Sequence, residues 1–148
     1  MSKSFSLIEV LVIIAVIAIL VGLSSLNLVS FGRASEVDAG RVEVVQALRE
    51  AQSNSMANLG ANPWGVHFES AKVVIFQDGG AGFDPNDSQN NRVKIMPKGI
   101  SLSWIFTGGG DNLMFEKGTG QTLNSGTVTV SGNTSIEIKI NKEGMIDW

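Results

Sequence analysis

A long apolar run near the N-terminus constrains this chain more than any other feature. The stretch SFSLIEVLVIIAVIAIL begins at Ser4, and between positions 10 and 23 only Gly22 dilutes a series of valine, isoleucine, leucine and alanine. The run extends to Phe31, about 20 to 25 residues, which is enough to cross a hydrocarbon core of ~30 Å as a helix. One carboxylate, Glu9, lies near its start, although an unpaired charge in lipid costs about 2.5 to 3.5 kcal/mol. The run therefore predicts a membrane-spanning helix in which the acid has a specific purpose.

An ordinary cleaved signal peptide is the main alternative for this run. The run is longer than such peptides require, no A-x-A cleavage site follows it, and Glu9 interrupts its beginning. Lys3 precedes the run and the next basic residue is Arg33, so the charge distribution favours a cytoplasmic N-terminus. The sequence predicts a retained, single-pass membrane segment.

The helical pattern continues beyond the apolar run. Apolar residues recur at helical spacing from Val37 to Met56, with charged residues on the other faces. Gly60 and Pro63 supply a stop. The pattern predicts one helix over 5–59, near ~80 Å at 1.5 Å per residue, apolar in its first half and amphipathic in its second.

The remainder of the chain has the pattern of β-structure. Seven short runs rich in valine, isoleucine, phenylalanine and tryptophan are separated by turn sequences. The predicted fold class is α+β, with the long N-terminal helix packed on an antiparallel β domain of about seven strands. The segment GMIDW is a candidate for an additional edge strand. The seven runs are WGVHF, KVVIF, RVKIM, ISLSWIF, NLMFE, GTVTVSG and SIEIKI.

The N-terminal signature is similar to that of type IV pilins and of the pseudopilins of type II secretion. Processed members of that family begin with phenylalanine, a small polar residue, leucine, a branched apolar residue and glutamate, which match Phe5–Glu9 here. Three later stretches, ALREAQSNSMANLGANPWGVHFESAKVVIF, FEKGTGQT and IEIKINKEGMI, resemble the minor-pilin subgroup related to pseudopilin H. The resemblance implies the pilin fold, with a leader peptide at 1–4, a transmembrane and assembly helix at 5–31 and a soluble pilin domain at 32–148.

The resemblance also implies a role for individual residues. A prepilin peptidase would cut between Ser4 and Phe5 and methylate the new amine of Phe5; Ser4 stands where the family usually has glycine. The Phe5 amine would then be a cation, and Glu9 of an adjacent subunit could neutralise it and remove two desolvation penalties. Such a pair would also fix the axial register between neighbouring helices. We therefore expect Glu9 to act as the assembly and register residue.

The expected function is that of a structural subunit in a type IV pilus-like filament. The alternatives are a type II secretion pseudopilin, a DNA-binding minor pilin, and a monomeric anchored protein whose globular domain has another task. The implied partners are other pilin subunits, prepilin peptidase, the inner-membrane assembly machinery and, before assembly, membrane lipid. The implied location is the inner membrane for the precursor and a cell-surface or periplasmic filament afterwards.

Residues with catalytic potential are few. The chain has no cysteine and one histidine, His67, so any Ser–His arrangement would have to use His67. The sequence contains no P-loop, no H-E-x-x-H and no G-x-S-x-G motif. The sequence therefore predicts a protein that is not an enzyme and that has no cofactor.

Two binding hypotheses remain to be weighed. Four oxygen-bearing side chains in the loop at 78–91 are of the type that calcium prefers, but their spacing differs from that of an EF-hand, so a solvated loop is the favoured interpretation. Nucleic acid would have to use Lys139 and Lys142, which lie beside acidic residues in a chain of net charge −3, so nucleic-acid binding is not favoured. The loop side chains are Asp78, Asp84, Asn86 and Asp87.

Overall fold

The computed structural model describes the backbone of residues 6–24 and 28–148 and the side chains of residues 6–22 and 36–148. The chain divides into two compact units, Met1–Arg33 and Ala34–Trp148.

Helix α1 is formed by Leu7–Ser24 and helix α2 by Leu28–Met56. The prediction of one continuous helix over 5–59 was therefore wrong. Gly22 and Ser24 are weak helix formers near the C-terminal end of the described part of α1, and a periodicity of apolar residues does not take such residues into account. The expected fold of a long N-terminal helix on a pilin-type β domain is replaced by two separate helices and eight strands.

The prediction of a transmembrane segment at 5–31 was also wrong. Within residues 6–24 and 28–148, no helix combines the length and the apolar character needed to cross a membrane. This finding overturns the expected single-pass inner-membrane location, and with it the prepilin-type processing that presupposes such a precursor.

Helix α2 contributes one face to the core of the second unit. Its buried apolar residues recur every three or four positions, as expected for one face of a helix. The helix ends at Met56, before the predicted stop at Gly60, because Asn58 takes a left-handed conformation with φ of 53°. The amide of Leu59 then donates to the carbonyl of Asn54 at 3.0 Å, which closes the last turn. The buried residues of this face are Val37, Val44, Val45, Ala47, Leu48 and Ala51.

Eight strands form two antiparallel sheets. The first sheet has the order β3-β2-β1-β5 and the second has the order β4-β6-β7-β8. Each of the seven predicted runs corresponds to one strand and GMIDW contains the eighth, and the strands are divided between two sheets. The strands are β1 Trp64–Glu69, β2 Lys72–Gln77, β3 Arg92–Ile95, β4 Ser101–Phe106, β5 Asn112–Met114, β6 Gly126–Ser131, β7 Ser135–Ile140 and β8 Ile146–Asp147.

The core of the second unit lies where α2 meets the inner faces of both sheets. Phe68 on β1 packs its ring against those of Trp104 and Phe106 on β4, with centroids 5.7 and 5.3 Å apart. These aromatic contacts join the first sheet to the second. The side chain of Gln52 on α2 donates to two distant carbonyls, those of Gly120 at 3.0 Å and Gly144 at 2.9 Å. The helix is therefore fixed to the sheets by polar as well as apolar contacts.

Candidate assembly surface

Helix α1 exposes apolar side chains in every direction. Among its large apolar residues the exposed fraction runs from 46% for Val10 to 82% for Leu7. Monomeric soluble proteins rarely expose contiguous apolar surface of this extent, and a larger patch marks an interaction site. The helix is apolar on all sides and therefore has no polar face that would be directed toward water. Its surface, Leu7–Gly22, is termed the α1 surface below.

Glu9 is placed in the first turn of α1 and is exposed. Ser6 immediately precedes the helix, and its carbonyl accepts from the amides of Glu9 at 3.0 Å and Val10 at 3.3 Å. A serine at this position with glutamate three residues later is the sequence of a capping box. The negative charge also suits the positive end of the helix dipole. We therefore expect the Glu9 carboxylate to favour the start of the helix, which the sequence motif S-L-I-E could have indicated but which the filament interpretation overlooked.

Two of the residues that sequence analysis assigned lie outside the described part of the chain. These are Ser4 and Phe5, the expected cleavage and methylation positions. Their distance from Glu9 is therefore not defined. Of the three assigned residues, Glu9 is the one whose position the structure gives.

His67 lies in β1 on the outer face of the first sheet. Its Nδ1 is 2.7 Å from Oδ1 of Asn112, and its ring stacks on that of Phe83 with centroids 4.0 Å apart. Its Nε2 is 3.9 Å from the carboxylate of Glu69. Phe83 also meets the ring of Phe76 edge-on at 5.4 Å. Through these contacts His67 and Phe76 hold Phe83, and with it the loop at 78–91, against the sheet.

The acidic side chains of this loop bind the loop's own backbone. Oδ1 of Asp78 accepts from the amides of Gly80 and Gly82 at 2.8 and 2.9 Å. Asp84 accepts from the amide of Asn86 at 2.8 Å. Within the described residues, no group of three or more histidine, cysteine, aspartate or glutamate residues is close enough to hold a metal ion. The loop side chains act as turn-forming acceptors.

Hydrogen bonds lower the pKa of Asp87, which lies in this loop. The side-chain amide of Asn90 donates to its Oδ2 at 2.9 Å. This bond, with the backbone amides of Asn90 and Gln89, holds the pKa of the Asp87 carboxyl below its ordinary value of 3.8. Hydrogen bonds to the charged form favour that form, so the loop keeps this carboxylate ionised.

The lysines considered for nucleic-acid binding lie at the end of the second sheet. Nζ of Lys139 is 3.9 Å from the carboxylate of Glu137, and in the strand register Lys139 stands opposite Asp147. Sequence analysis missed two arginines at this end of the domain. The guanidinium groups of Arg41 and Arg49 lie 5.2 and 5.0 Å from the ring centroid of Trp148. The local charge is therefore mixed, and the cations on α2 contact the tryptophan ring.

Comparison with known proteins identifies no relative of this chain. No family model matches it, and neither does any curated protein or solved structure. The pilin resemblance therefore rests on the sequence alone, that is, on the N-terminal signature and the three later stretches.

Proposed function

We propose that this protein is a structural subunit that assembles with copies of itself, or with related chains, into a filament of the type IV pilus kind. The α1 surface forms the contacts, and the domain built on α2 and the two sheets carries the solvent-exposed surface of the assembly. The role is structural and requires no catalytic residue. The observation that supports it is the exposure of apolar side chains around the whole of α1.

The physical argument is one of apolar area. Each Å² of apolar surface removed from water contributes about 25 cal/mol, so covering the side chains of α1 gives a strong drive to associate. A helix that is apolar on one face is satisfied by one neighbour, whereas α1 requires neighbours on all sides. Repeated side-by-side packing of helices provides them, and a head-to-tail repeat of one contact generates an open filament.

Glu9 would give such packing a defined register. The α1 surface carries this one charge, at the N-terminal end of the helix. Burial among apolar neighbours is costly for an unpaired carboxylate, so the favoured arrangement places a cation of a neighbouring chain beside it. A shift of one helix along another would separate the pair. The charge therefore selects one axial position among many of similar apolar contact.

A pair of isoleucine substitutions tests this proposal. Ile17 lies on α1, and Ile105 lies on the outer face of β4; both side chains are exposed. The full-length protein is purified in detergent, the detergent is removed, and assemblies are measured by sedimentation and negative-stain microscopy. We expect Ile17→Lys to abolish filaments, because lysine ammonium groups would be buried in the packed helices, and Ile105→Lys to assemble as the wild type does. Equal assembly by both variants, or the absence of filaments from the wild type, would refute the proposal.

A further inference from the structure

Strand β3 is an edge strand with an open side. It pairs with β2 and, within the described residues, with no other strand. The amide of Met96 donates to the carbonyl of Ala71 at 2.9 Å. This bond shows which residues of β3 direct their backbone amides and carbonyls toward β2 and which direct them away. Lys94 and Arg92 lie two and four residues before Met96, so their amides and carbonyls also face β2. The amides and carbonyls of Val93 and Ile95 therefore point away from β2, toward the free edge.

The outer face of β3 is apolar and exposed. Val93 is 53% exposed and Ile95 is 74% exposed. A depression of about 280 Å³ lies beside Val93, and Val74, Phe83 and Pro85 supply its apolar lining. Natural edge strands are protected by short length, proline, bulges or charged side chains. The strand β3 is four residues long and its two charges lie on the opposite face, so a strand added at this edge would find apolar surface to cover on the outer face.

The opposite face of β3 carries two cations. Arg92 forms an ion pair with Glu50 of α2, and Nζ of Lys94 is 3.8 Å from the carboxylate of Glu43. The Arg92 side chain is 60% exposed and that of its partner Glu50 is 30% exposed, so an added strand would meet this cation before the glutamate. In an antiparallel pair of two β3 strands joined through Val93 and Ile95, Lys94 would stand opposite Lys94. Like charges directly opposite each other are destabilising, so the edge disfavours a second copy of itself.

We propose that β3 is the acceptor edge for an extended segment of a partner protein, in which apolar and acidic residues alternate. Main-chain hydrogen bonds would form with the open groups of Val93 and Ile95, as in other cases of strand addition. The apolar side chains of the segment would cover Val93 and Ile95, and its carboxylates would lie beside Arg92 and Lys94. This site is separate from the α1 surface, so either can exist without the other.

The test uses a synthetic probe and the full-length protein in detergent micelles. The probe is an eight-residue peptide of alternating valine and glutamate, and the control peptide has lysine in place of glutamate. Isotope-edited NMR follows the amides, and hydrogen exchange measures their protection. We expect the glutamate peptide to bind at least tenfold more tightly than the lysine peptide and to slow the exchange of the Val93 and Ile95 amides. Equal binding of the two peptides, or binding without protection of these amides, would overturn the proposal.

Two variants separate strand addition from adsorption to the surface. Val93→Pro removes an outward amide that the ladder with β2 does not use, and proline is tolerated at such edge positions. Ile95→Lys keeps the backbone but adds a charge to the apolar face, with Ile105→Lys on β4 as its matched control. We expect the first two variants to lose peptide binding at least tenfold and the control to retain it. Retained binding by Ile95→Lys would show that the peptide does not cover the apolar face of β3. Amide protection that increases with protein concentration in the absence of peptide would show that a second copy of this chain occupies the edge. Either result would overturn the proposal.

Discussion

Replacing Glu9 by glutamine separates the two roles that we propose for this residue, starting the helix and setting the register between subunits. Glutamine suits the third helical position of a capping box as glutamate does, and the bond from the backbone amide of residue 9 to the Ser6 carbonyl does not depend on the side chain. What the substitution removes is the charge. If Glu9 serves only to start the helix, Glu9→Gln should be nearly neutral, whereas a register pair between subunits should be lost.

The magnitudes of the two effects differ enough to be distinguished. Loss of a favourable charge at the N-terminal end of a helix costs about 0.3 to 1 kcal/mol. Breaking a buried ion pair by removing one partner costs about 3 to 5 kcal/mol. Leu7 and Ile8, which immediately precede Glu9, are 82% and 70% exposed. Packing of the helices would therefore take Glu9 from water into apolar surroundings. At 1.4 kcal/mol per power of ten, subunit association should weaken by roughly 100- to 3,000-fold.

Incorporation of the mutant chain itself must be measured. The full-length Glu9→Gln protein, tagged and mixed with wild type, is assembled by detergent removal and then quantified in the pelleted filaments. Glu36→Gln is the matched control, because it removes the same charge from an exposed position on α2. We expect the control to be incorporated in proportion to its input and Glu9→Gln to remain in the supernatant. Incorporation of Glu9→Gln at the level of the control would refute the register role and leave helix capping as the function of Glu9.

Two further predictions concern the second unit. Gly144→Ala should destabilise the protein far more than Gly109→Ala, as measured by urea unfolding. Both glycines have positive φ, but a Cβ at Gly144 would overlap the carbonyl of Gly120, whereas Gly109 has open space around it. Similar unfolding midpoints would contradict this. For Asp87, the folded pKa lies below the ordinary 3.8 because Asn90 and nearby amides bind the carboxylate. Its contribution to stability is therefore present above pH 3.8 and is lost as the pH falls through the folded pKa. NMR titration should show this lowered value, and Asn90→Ala should raise it; an unchanged titration would contradict the assignment.

The strands could be predicted from sequence because their pattern is local. The run KVVIF, for example, gives β2, and its flanking turn sequences mark its limits. The arrangement of the strands could not be predicted in this way. Pairing of β1 with β5 brings Gly65 opposite Met114, and no local pattern specifies a partner so far along the chain. The division into two sheets follows from such distant pairings, and so does the open edge of β3.

The candidate sites were predictable to different degrees. Glu9 could be selected from sequence because a charge in an apolar run is conspicuous, and its place at the start of α1 could have been inferred from Ser6. The division into α1 and α2 could not be inferred, because the apolar periodicity runs through both helices. The arginine pair on Trp148 could not be found either, since Arg41 and Arg49 become neighbours of the ring only when β8 joins its sheet.

The bonds of Gln52 have a consequence for the order in which this protein folds during synthesis. Its side chain binds carbonyls that lie 68 and 92 residues later in the chain. At about 5 to 20 residues per second, Gln52 is synthesised roughly 5 to 20 s before the second of these carbonyls. During that interval the first sheet is completed but the second, which ends at Asp147, is not. The helix that anchors the finished domain therefore keeps part of its apolar face uncovered until the chain is almost complete.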